Sequence, residues 1–205
     1  MKDSIGNKAA LAAVCVFAVV ILGCTTSAPL HYYTLAPLSP GGFSSPIPMR
    51  WTLALRPVTV PDILKRPQML VRTGDHTVRL SENHRWAGPL DKELFRVLIE
   101  NLNVQLRDAG AVAAPDDAAF EPDMVLAVQV NRFDGRPGES VTLHVQWTLT
   151  FPKGKGDRFG KNSVFVEKCQ GPDYESLAAA HSRAIAALSR EIALEIRAAL
   201  DKGCR

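Results

Sequence analysis

The strongest structural signal in the chain lies in residues 124–151, which read MVLAVQVNRFDGRPGESVTLHVQWTLTF. Apolar residues occupy every second position on both sides of the central DGRPG turn, and mostly polar residues lie between them. Alternation with a period of two is typical of a strand that buries one face only. The stretch therefore predicts two long antiparallel strands that are joined by a turn and covered on one side.

Two segments with helical spacing of apolar residues supply this cover. Residues 89–106 place leucines and a valine on one face behind Pro89, a residue that suits the first position of a helix. Residues 173–202 repeat the spacing, with alanines that allow close packing on a sheet. Gly110 is expected to end the first helix, and residues 116–123 are expected to form a loop.

Shorter strands account for most of the remaining chain. Strand composition and flanking turn residues predict them at residues 32–35, 51–60, 68–72, 77–80 and 163–168. The order is four short strands, a helix, three strands and a helix. This order predicts an α+β fold, a two-layer sandwich with a largely antiparallel sheet and two helices packed on one face.

Composition narrows the classes of function. With 46 % hydrophobic and 22 % charged residues, the 205-residue chain has globular composition. The formal net charge of +3 lacks the concentrated positive charge that nucleic-acid binding requires. The chain contains no nucleophile elbow, zinc-protease motif, phosphate loop or dinucleotide fingerprint, and its five histidines lie far apart. We therefore expect no enzymatic activity, no metal, no cofactor and no nucleic-acid partner.

The N-terminus has the features of a targeting segment. Lys2 and Lys8 precede an uncharged run over residues 9–23, which is shorter than the about 20 residues that a membrane-spanning helix needs. Residues 21–24, Ile-Leu-Gly-Cys, resemble a bacterial lipobox, in which the cysteine is acylated on sulfur and becomes the first residue after cleavage. The alternative is an uncleaved N-terminal anchor.

The lipobox divides the chain into three parts. Residues 1–23 are a lipoprotein signal peptide, residues 24–50 a lipidated N-terminus and flexible linker with a short docking strand, and residues 51–205 the domain. Each buried methylene of an acyl chain contributes about 0.8 kcal/mol, so several chains on Cys24 tether the domain firmly. Thr25 follows the cysteine where an aspartate commonly signals inner-membrane retention, so we expect the periplasmic face of the outer membrane.

Two cysteines remain once the leader and the lipid site are set aside. Cys169 and Cys204 would then lie in an oxidising compartment, where a disulfide between them is expected to contribute about 3 kcal/mol. The alternative is two independent thiols. Their spacing fits no zinc pattern.

A small basic loop precedes the last predicted strand. It contains Lys153, Lys155, Arg158 and Lys161. A solvated hairpin tip explains these charges, and the alternative is contact with anionic lipid headgroups or an acidic partner.

Several short motifs carry a family resemblance. The specific ones are Arg66-Pro67-Gln68 and Arg85-Trp86-Ala87; weaker ones are YYTL at 32–35, Val58-x-Val60-Pro61, Val71-Arg72, Pro89-Leu90, Trp147 and Tyr174-x-x-Leu177. With the lipobox, they cover nearly all of the mature chain. The chain resembles the PqiC-like family of ABC-type transport auxiliary lipoproteins.

This resemblance implies a membrane-bound, non-enzymatic role. The expected protein is an outer-membrane lipoprotein of a Gram-negative envelope, acylated with chains such as palmitate, that serves an MCE-type lipid transport system and supports membrane integrity. Its expected partners are the MCE-domain transport protein and the inner-membrane components of that system, and self-assembly into a homo-oligomer is compatible with this role. The alternative is a stand-alone periplasmic lipid-binding or structural lipoprotein.

The same motifs suggest where a partner would bind. Arginine and tryptophan next to proline-fixed backbone make good interface anchors, so the candidates are Pro61, Arg66, Pro67, Gln68, Arg85 and Trp86. The alternative is that Trp86 closes the core beneath the first helix and that Arg66 pairs locally.

Overall fold

The computed structural model describes residues 28–39, 49–116, 121–153 and 158–202. Within these ranges the chain forms eight strands and two α-helices. In chain order they are β1 (His31–Tyr33), β2 (Trp51–Leu55), β3 (Gln68–Arg72), β4 (Val78–Trp86), α1 (Leu90–Gln105), β5 (Ala111–Pro115), β6 (Met124–Arg136), β7 (Ser140–Thr150), β8 (Arg158–Lys168) and α2 (Tyr174–Asp201). The predicted α+β class is confirmed.

Strand β6 organises the sheet. One of its edges pairs with β7 in an antiparallel ladder, and β7 pairs in the same way with β8. Its other edge is shared, because β2 runs parallel to its beginning and β3 joins it in parallel at Gly135. Antiparallel β4 and then parallel β1 extend the sheet beyond β3, and parallel β5 lies beyond β2. The longest ladders are thus antiparallel, as predicted, within a mixed sheet.

The two faces of the long hairpin differ as the alternation predicts. Val128 of β6 and Leu143 and Trp147 of β7 are buried, whereas Gln129, His144 and Gln146 on the opposite face are exposed. The apolar sides of both helices belong to the same core as the buried face. Both helices therefore cover one side of the sheet.

Helix α2 is held to β7 and β8 by a partly buried carboxylate as well as by apolar packing. Trp147 Nε1 donates to Glu191 Oε1 at 3.0 Å, and the Ser163 hydroxyl donates to the same oxygen. Lys161 Nζ lies 3.1 Å from the second oxygen. Burial raises the pKa of Glu191, but these donors outweigh that effect and hold the pKa below its ordinary value.

The sequence missed one strand and misplaced several ends. Strand β5 reads AVAAP and follows Gly110, whose positive φ of 68° turns the chain back beside β2. Strands β4 and β8 are longer than predicted. Strand β2 ends at Leu55 rather than at residue 60, and only Thr59 pairs again, with Gln129.

Candidate interaction surface

The backbone brings the two specific sequence motifs into one place. The Trp86 amide donates to the carbonyl oxygen of Pro67 at 2.7 Å, and Gln68 lies opposite Arg85 in the ladder between β3 and β4. The segment before β3 is fixed by a 3₁₀ turn at Asp62–Lys65, which buries Leu64. We name the resulting set the β3–β4 surface; it consists of Pro61, Arg66, Pro67, Gln68 and Arg85.

The β3–β4 surface presents two arginines. Arg66 and Pro67 are exposed, and Pro61, Gln68 and Arg85 are partly exposed. Arg85 Nε donates to the carbonyl oxygen of Glu82 at 3.3 Å, which leaves the rest of its guanidinium available. Among the described residues Arg66 forms no ion pair, so local pairing does not account for it. These features fit a contact site for a partner.

Trp86 lies beneath this surface and not on it. Only 4 % of Trp86 is exposed, and its ring forms a T-shaped pair with the His181 ring of α2 at a centroid distance of 5.3 Å. The burial of Trp86 favours the alternative that it closes the core, with α2 as its aromatic neighbour. Trp86 therefore supports the backbone of the β3–β4 surface from the core and does not contact a partner itself.

An aromatic stack joins β1, β4 and the start of α2. The His84 ring stacks on Tyr174 at 3.6 Å and on His31 at 5.2 Å, and Nδ1 of His84 shares a 2.8 Å hydrogen bond with the Tyr33 hydroxyl. Burial and then His31 lower the pKa of His84. These residues are far apart in the sequence, so the stack could not be predicted from it.

In the described part of the chain, no three His, Cys, Asp or Glu side chains form a group suited to a metal.

The chain that follows β1 is bound to both helices. Leu35 is buried, the Ala36 amide donates to Ser182 Oγ of α2 at 3.0 Å, and the Leu38 amide donates to Asn101 Oδ1 of α1 at 2.7 Å. The docking strand predicted at residues 32–35 forms at His31–Tyr33, and the segment after it adds contacts that the sequence did not suggest. The fold therefore holds residues 31–38 in a fixed position.

The basic loop is partly neutralised within the fold. Lys153 pairs with Asp123 at 3.1 Å, and Lys161 pairs with Glu191. Arg158 is exposed, and Lys155 lies outside the described residues. The pairing favours a solvated hairpin over a strongly charged binding site.

Two of the predicted site residues lie outside the described ranges. They are Cys24 and Cys204, so acylation and the disulfide stay predictions. The partner predicted for Cys204, Cys169, is partly buried, with its sulfur 3.6 Å from the Arg136 carbonyl oxygen, and burial raises the pKa of its thiol. None of the helices in the described ranges has the length and apolar character needed to span a membrane.

Comparison with known proteins decides the family. Residues 33–193 match the family model of the ABC-type transport auxiliary lipoprotein component. The chain belongs to this family. The matched region contains the whole β3–β4 surface and ends within α2.

Individual relatives agree with this membership. The chain is 31 % identical over 137 residues to "Intermembrane transport lipoprotein PqiC" of Escherichia coli (strain K12), covering 66 % of this chain and 72 % of PqiC, and PqiC of Shigella flexneri gives the same values. The crystal structure of an uncharacterized protein, 28 % identical, superposes with a TM-score of 0.70 over 82 % of this chain and 99 % of the other. A Xanthomonas campestris protein, 17 % identical, shares the fold, with a TM-score of 0.61 over 81 % and 93 % of the chains.

Proposed function

We propose that the chain is an outer-membrane lipoprotein that serves as a non-enzymatic auxiliary subunit of an MCE-type intermembrane lipid transport system and supports envelope integrity. The observation that carries this proposal is the family match over residues 33–193. The name of its relative PqiC, an intermembrane transport lipoprotein, supports transport between two membranes as the process it serves.

Acylation of Cys24 accounts for the anchoring. The lipobox at residues 21–24 supports this modification, and Thr25 supports export to the outer membrane. Each methylene that enters the bilayer contributes about 0.8 kcal/mol, so a multiply acylated cysteine does not leave the membrane on a functional timescale. The domain is thereby tethered to the periplasmic face without inserting into the bilayer.

The β3–β4 surface is the proposed contact with the MCE-domain partner. Its arginines stand on backbone that is fixed by Pro61, Pro67 and the ladder with β4. Buried Trp86 and Leu64 hold this backbone from below. A rigid, arginine-bearing surface suits docking because little conformational entropy is lost on binding.

A role without catalysis is supported by the use of the buried polar groups. Asp134 is bound between Arg72 and Arg132, and His181 shares a 2.9 Å hydrogen bond with the Leu177 carbonyl. Glu191 is bound by the donors that hold α2 to the sheet. Each of these groups therefore has a structural role.

The packing of α2 supports docking over the alternative of a lipid carrier. A carrier of this fold would need an apolar cavity between the long helix and the sheet. Leu188, Ile192 and Ile196 face that space, and each is fully buried in the common core with Trp147. The middle of α2 is therefore closed to solvent. The open apolar pocket beside the last turns of α2, lined by Phe151, Phe159 and Ala198, has a volume of about 330 Å³, which is at the lower limit for a small-ligand site.

The proposal is tested first through the anchor. We expect the native chain and a Cys15→Ala control, altered in the same leader, to fractionate with the outer membrane and to restore detergent resistance to cells that lack the gene. Cys24→Ala should do neither, because the acylated atom is absent. Full restoration of resistance by Cys24→Ala would contradict the anchored role.

A second experiment tests the β3–β4 surface. A photo-crosslinking amino acid is placed at Arg66 and, as a control, at Leu194, which is 67 % exposed on α2. We expect the probe at Arg66 to crosslink to an MCE-domain protein in intact cells and the probe at Leu194 not to do so. Equal crosslinking from both positions would remove the assignment of this surface.

A further inference from the structure

The chain between the lipid site and the fold is short. Ala28 is the first described residue, and only three residues separate it from Cys24. Four Cα-to-Cα steps of about 3.5 Å span at most about 14 Å. An acylated Cys24 lies at the bilayer surface, so Ala28 stays within about 14 Å of it. The end of the domain that carries Ala28 therefore cannot turn far away from the membrane.

The contacts of residues 33–38 show which end this is. The Tyr33 ring lies 6.4 Å from Tyr174, the first residue of α2, and Ala36 binds Ser182, which is two turns further along the helix. The chain thus runs beside α2 in the same direction as the helix. Residues 28–32 precede this stretch, so they lie at the end of the domain where α2 begins.

Two large apolar side chains are exposed at this same end. Leu30, which immediately precedes β1, is 45 % exposed, and Tyr32 of β1 is 60 % exposed. Tyr32 lies on the face of β1 opposite to His31 and Tyr33, whose rings contact His84. Tyr32 lies in parallel register with Arg85 of β4. Arg85 belongs to the β3–β4 surface, so the lipid contact is assigned to Leu30 and Tyr32 alone. A tyrosine, with an apolar ring and a polar hydroxyl, is typical of side chains that lie at the headgroup level of a bilayer.

We propose that the end of the domain where α2 begins faces the phospholipid surface, with Leu30 and Tyr32 in contact with the headgroup region. This inference rests on the proposed acylation of Cys24. The short chain between Cys24 and Ala28 keeps Leu30 and Tyr32 close to the bilayer, so lipid rather than a soluble protein is the expected contact.

The opposite end of the domain then points into the periplasm. Helix α2 has 28 residues, a length of about 42 Å at 1.5 Å per residue. Its last turns lie beside Arg158 and Phe159 at the start of β8. Arg158 is thus too far from the end that carries Ala28 to contact the same lipid surface while the helix stands away from the membrane.

Charges at the tethered end are of both signs. Arg85 lies beside Tyr32, whereas Asp173 and Glu175 lie at the beginning of α2. Attraction by anionic lipid is therefore not the main source of the contact. We expect the placement of Leu30 and Tyr32 to change little when anionic lipid is diluted or salt is raised.

The test uses the full acylated chain with spin labels. Leu30→Cys, Tyr32→Cys and the control Leu194→Cys are each made with Cys169→Ser and Cys204→Ser, labelled, and reconstituted in vesicles of phosphatidylethanolamine and phosphatidylglycerol. We expect labels at positions 30 and 32 to collide more with oxygen than with a water-soluble nickel chelate, as in the headgroup region. The label at position 194 should show the reverse.

Two results would overturn the inference in different ways. If the chain floats with the vesicles but the labels at 30 and 32 behave like the label at 194, the orientation is wrong and the anchoring stands. If the chain does not float with the vesicles, the acylation of Cys24 is wrong and the orientation fails with it. Protection at 30 and 32 that requires an added partner protein would also overturn lipid as the occupant.

Discussion

Arg85 and Trp86 are neighbours in sequence with opposite positions in the fold. Arg85 is partly exposed on the β3–β4 surface, and Trp86 packs below it against His181. Alternation along a strand predicts that neighbours point to opposite faces, but it does not tell which face is buried when both residues suit an interface. Trp86 is buried against His181, a residue 95 positions away in the chain. The sequence therefore indicated that Arg85 and Trp86 are important, but not that Arg85 is exposed and Trp86 is buried.

At His181 the fold creates a pH dependence that can be measured. Burial lowers the pKa of His181 from 6.5 to about 4. The unfolded chain gains a proton as the pH falls through 6.5, and the folded chain does not until about pH 4. The free energy of unfolding should therefore fall by about 1.4 kcal/mol per pH unit in that window.

Substitution isolates this contribution of His181. We expect His181→Leu to reduce the slope of stability against pH between pH 6.5 and 4, measured by urea unfolding at a series of pH values. His144→Gln, which changes an exposed histidine, is the matched control and should keep the slope. An unchanged slope in His181→Leu would contradict the assignment.

A second residue prediction concerns the buried carboxylate of Asp134. It is 3 % exposed and accepts hydrogen bonds from Arg72 Nε at 2.9 Å and from Arg132 Nη2 at 2.9 Å. Burial raises the pKa of Asp134, but the two arginines outweigh burial and hold it below its ordinary value. Removal of one member of a buried ion pair leaves the other charge without compensation.

We expect Asp134→Asn to lower the free energy of unfolding by about 3 kcal/mol, measured by chemical denaturation at neutral pH. The control is Asp62→Asn, which removes an exposed ion pair with Lys65. The control should have little effect, because exposed pairs are well solvated. Equal stability of the two variants would show that the Asp134 network is not structurally important.

At the scale of elements, the helices could be predicted from their regular apolar spacing, whereas strand β5 at the edge of the sheet could not. Helices α1 and α2 lie within one residue of their predicted bounds. Their apolar spacing shows their extent, and Pro89 and Asp173 directly precede their first residues. Strand β5 has alanine at most positions and no clear alternation, so only its pairing with β2 identifies it. Parallel pairing between strands distant in sequence leaves no local signature.

Helix α2 approaches strand β6 closely at Gly135, and a substitution there tests this contact. A Cβ atom there would lie 2.7 Å from the Ser140 carbonyl oxygen, 2.8 Å from Val141 Cγ2 and 3.0 Å from Leu177 Cδ1. Each distance is shorter than a van der Waals contact, and Leu177 belongs to the first turn of α2. Gly135→Ala therefore forces the helix and the hairpin apart.

We expect Gly135→Ala to destabilise the fold by about 1–3 kcal/mol, measured by thermal and urea unfolding. Gly160→Ala on β8 is the control, because its new methyl group would meet Thr148 Oγ1 at an ordinary 3.5 Å. The control should change stability by no more than about 0.5 kcal/mol. If Gly135→Ala is as stable as the control, the close approach of α2 to β6 is wrong.

At the scale of the whole molecule, the two ends of α2 have different surroundings. The beginning of the helix lies beside β1, and its end lies beside the basic start of β8. The sequence indicated a tether, a domain and a family. The proposed orientation toward the membrane could not be predicted from the sequence, because the proposal rests on the contacts of residues 33–38 with both helices.

The membership in the transport auxiliary family is shown, whereas the MCE-type partner is proposed. The measurement that tests the proposal most directly is crosslinking followed by detergent co-purification from envelopes of cells that express the native chain or Cys24→Ala, with identification of all captured proteins. We predict that an MCE-domain protein is captured by the native chain and that its yield falls strongly with Cys24→Ala. A native chain that is abundant in the outer membrane and captures no transport component would contradict the account.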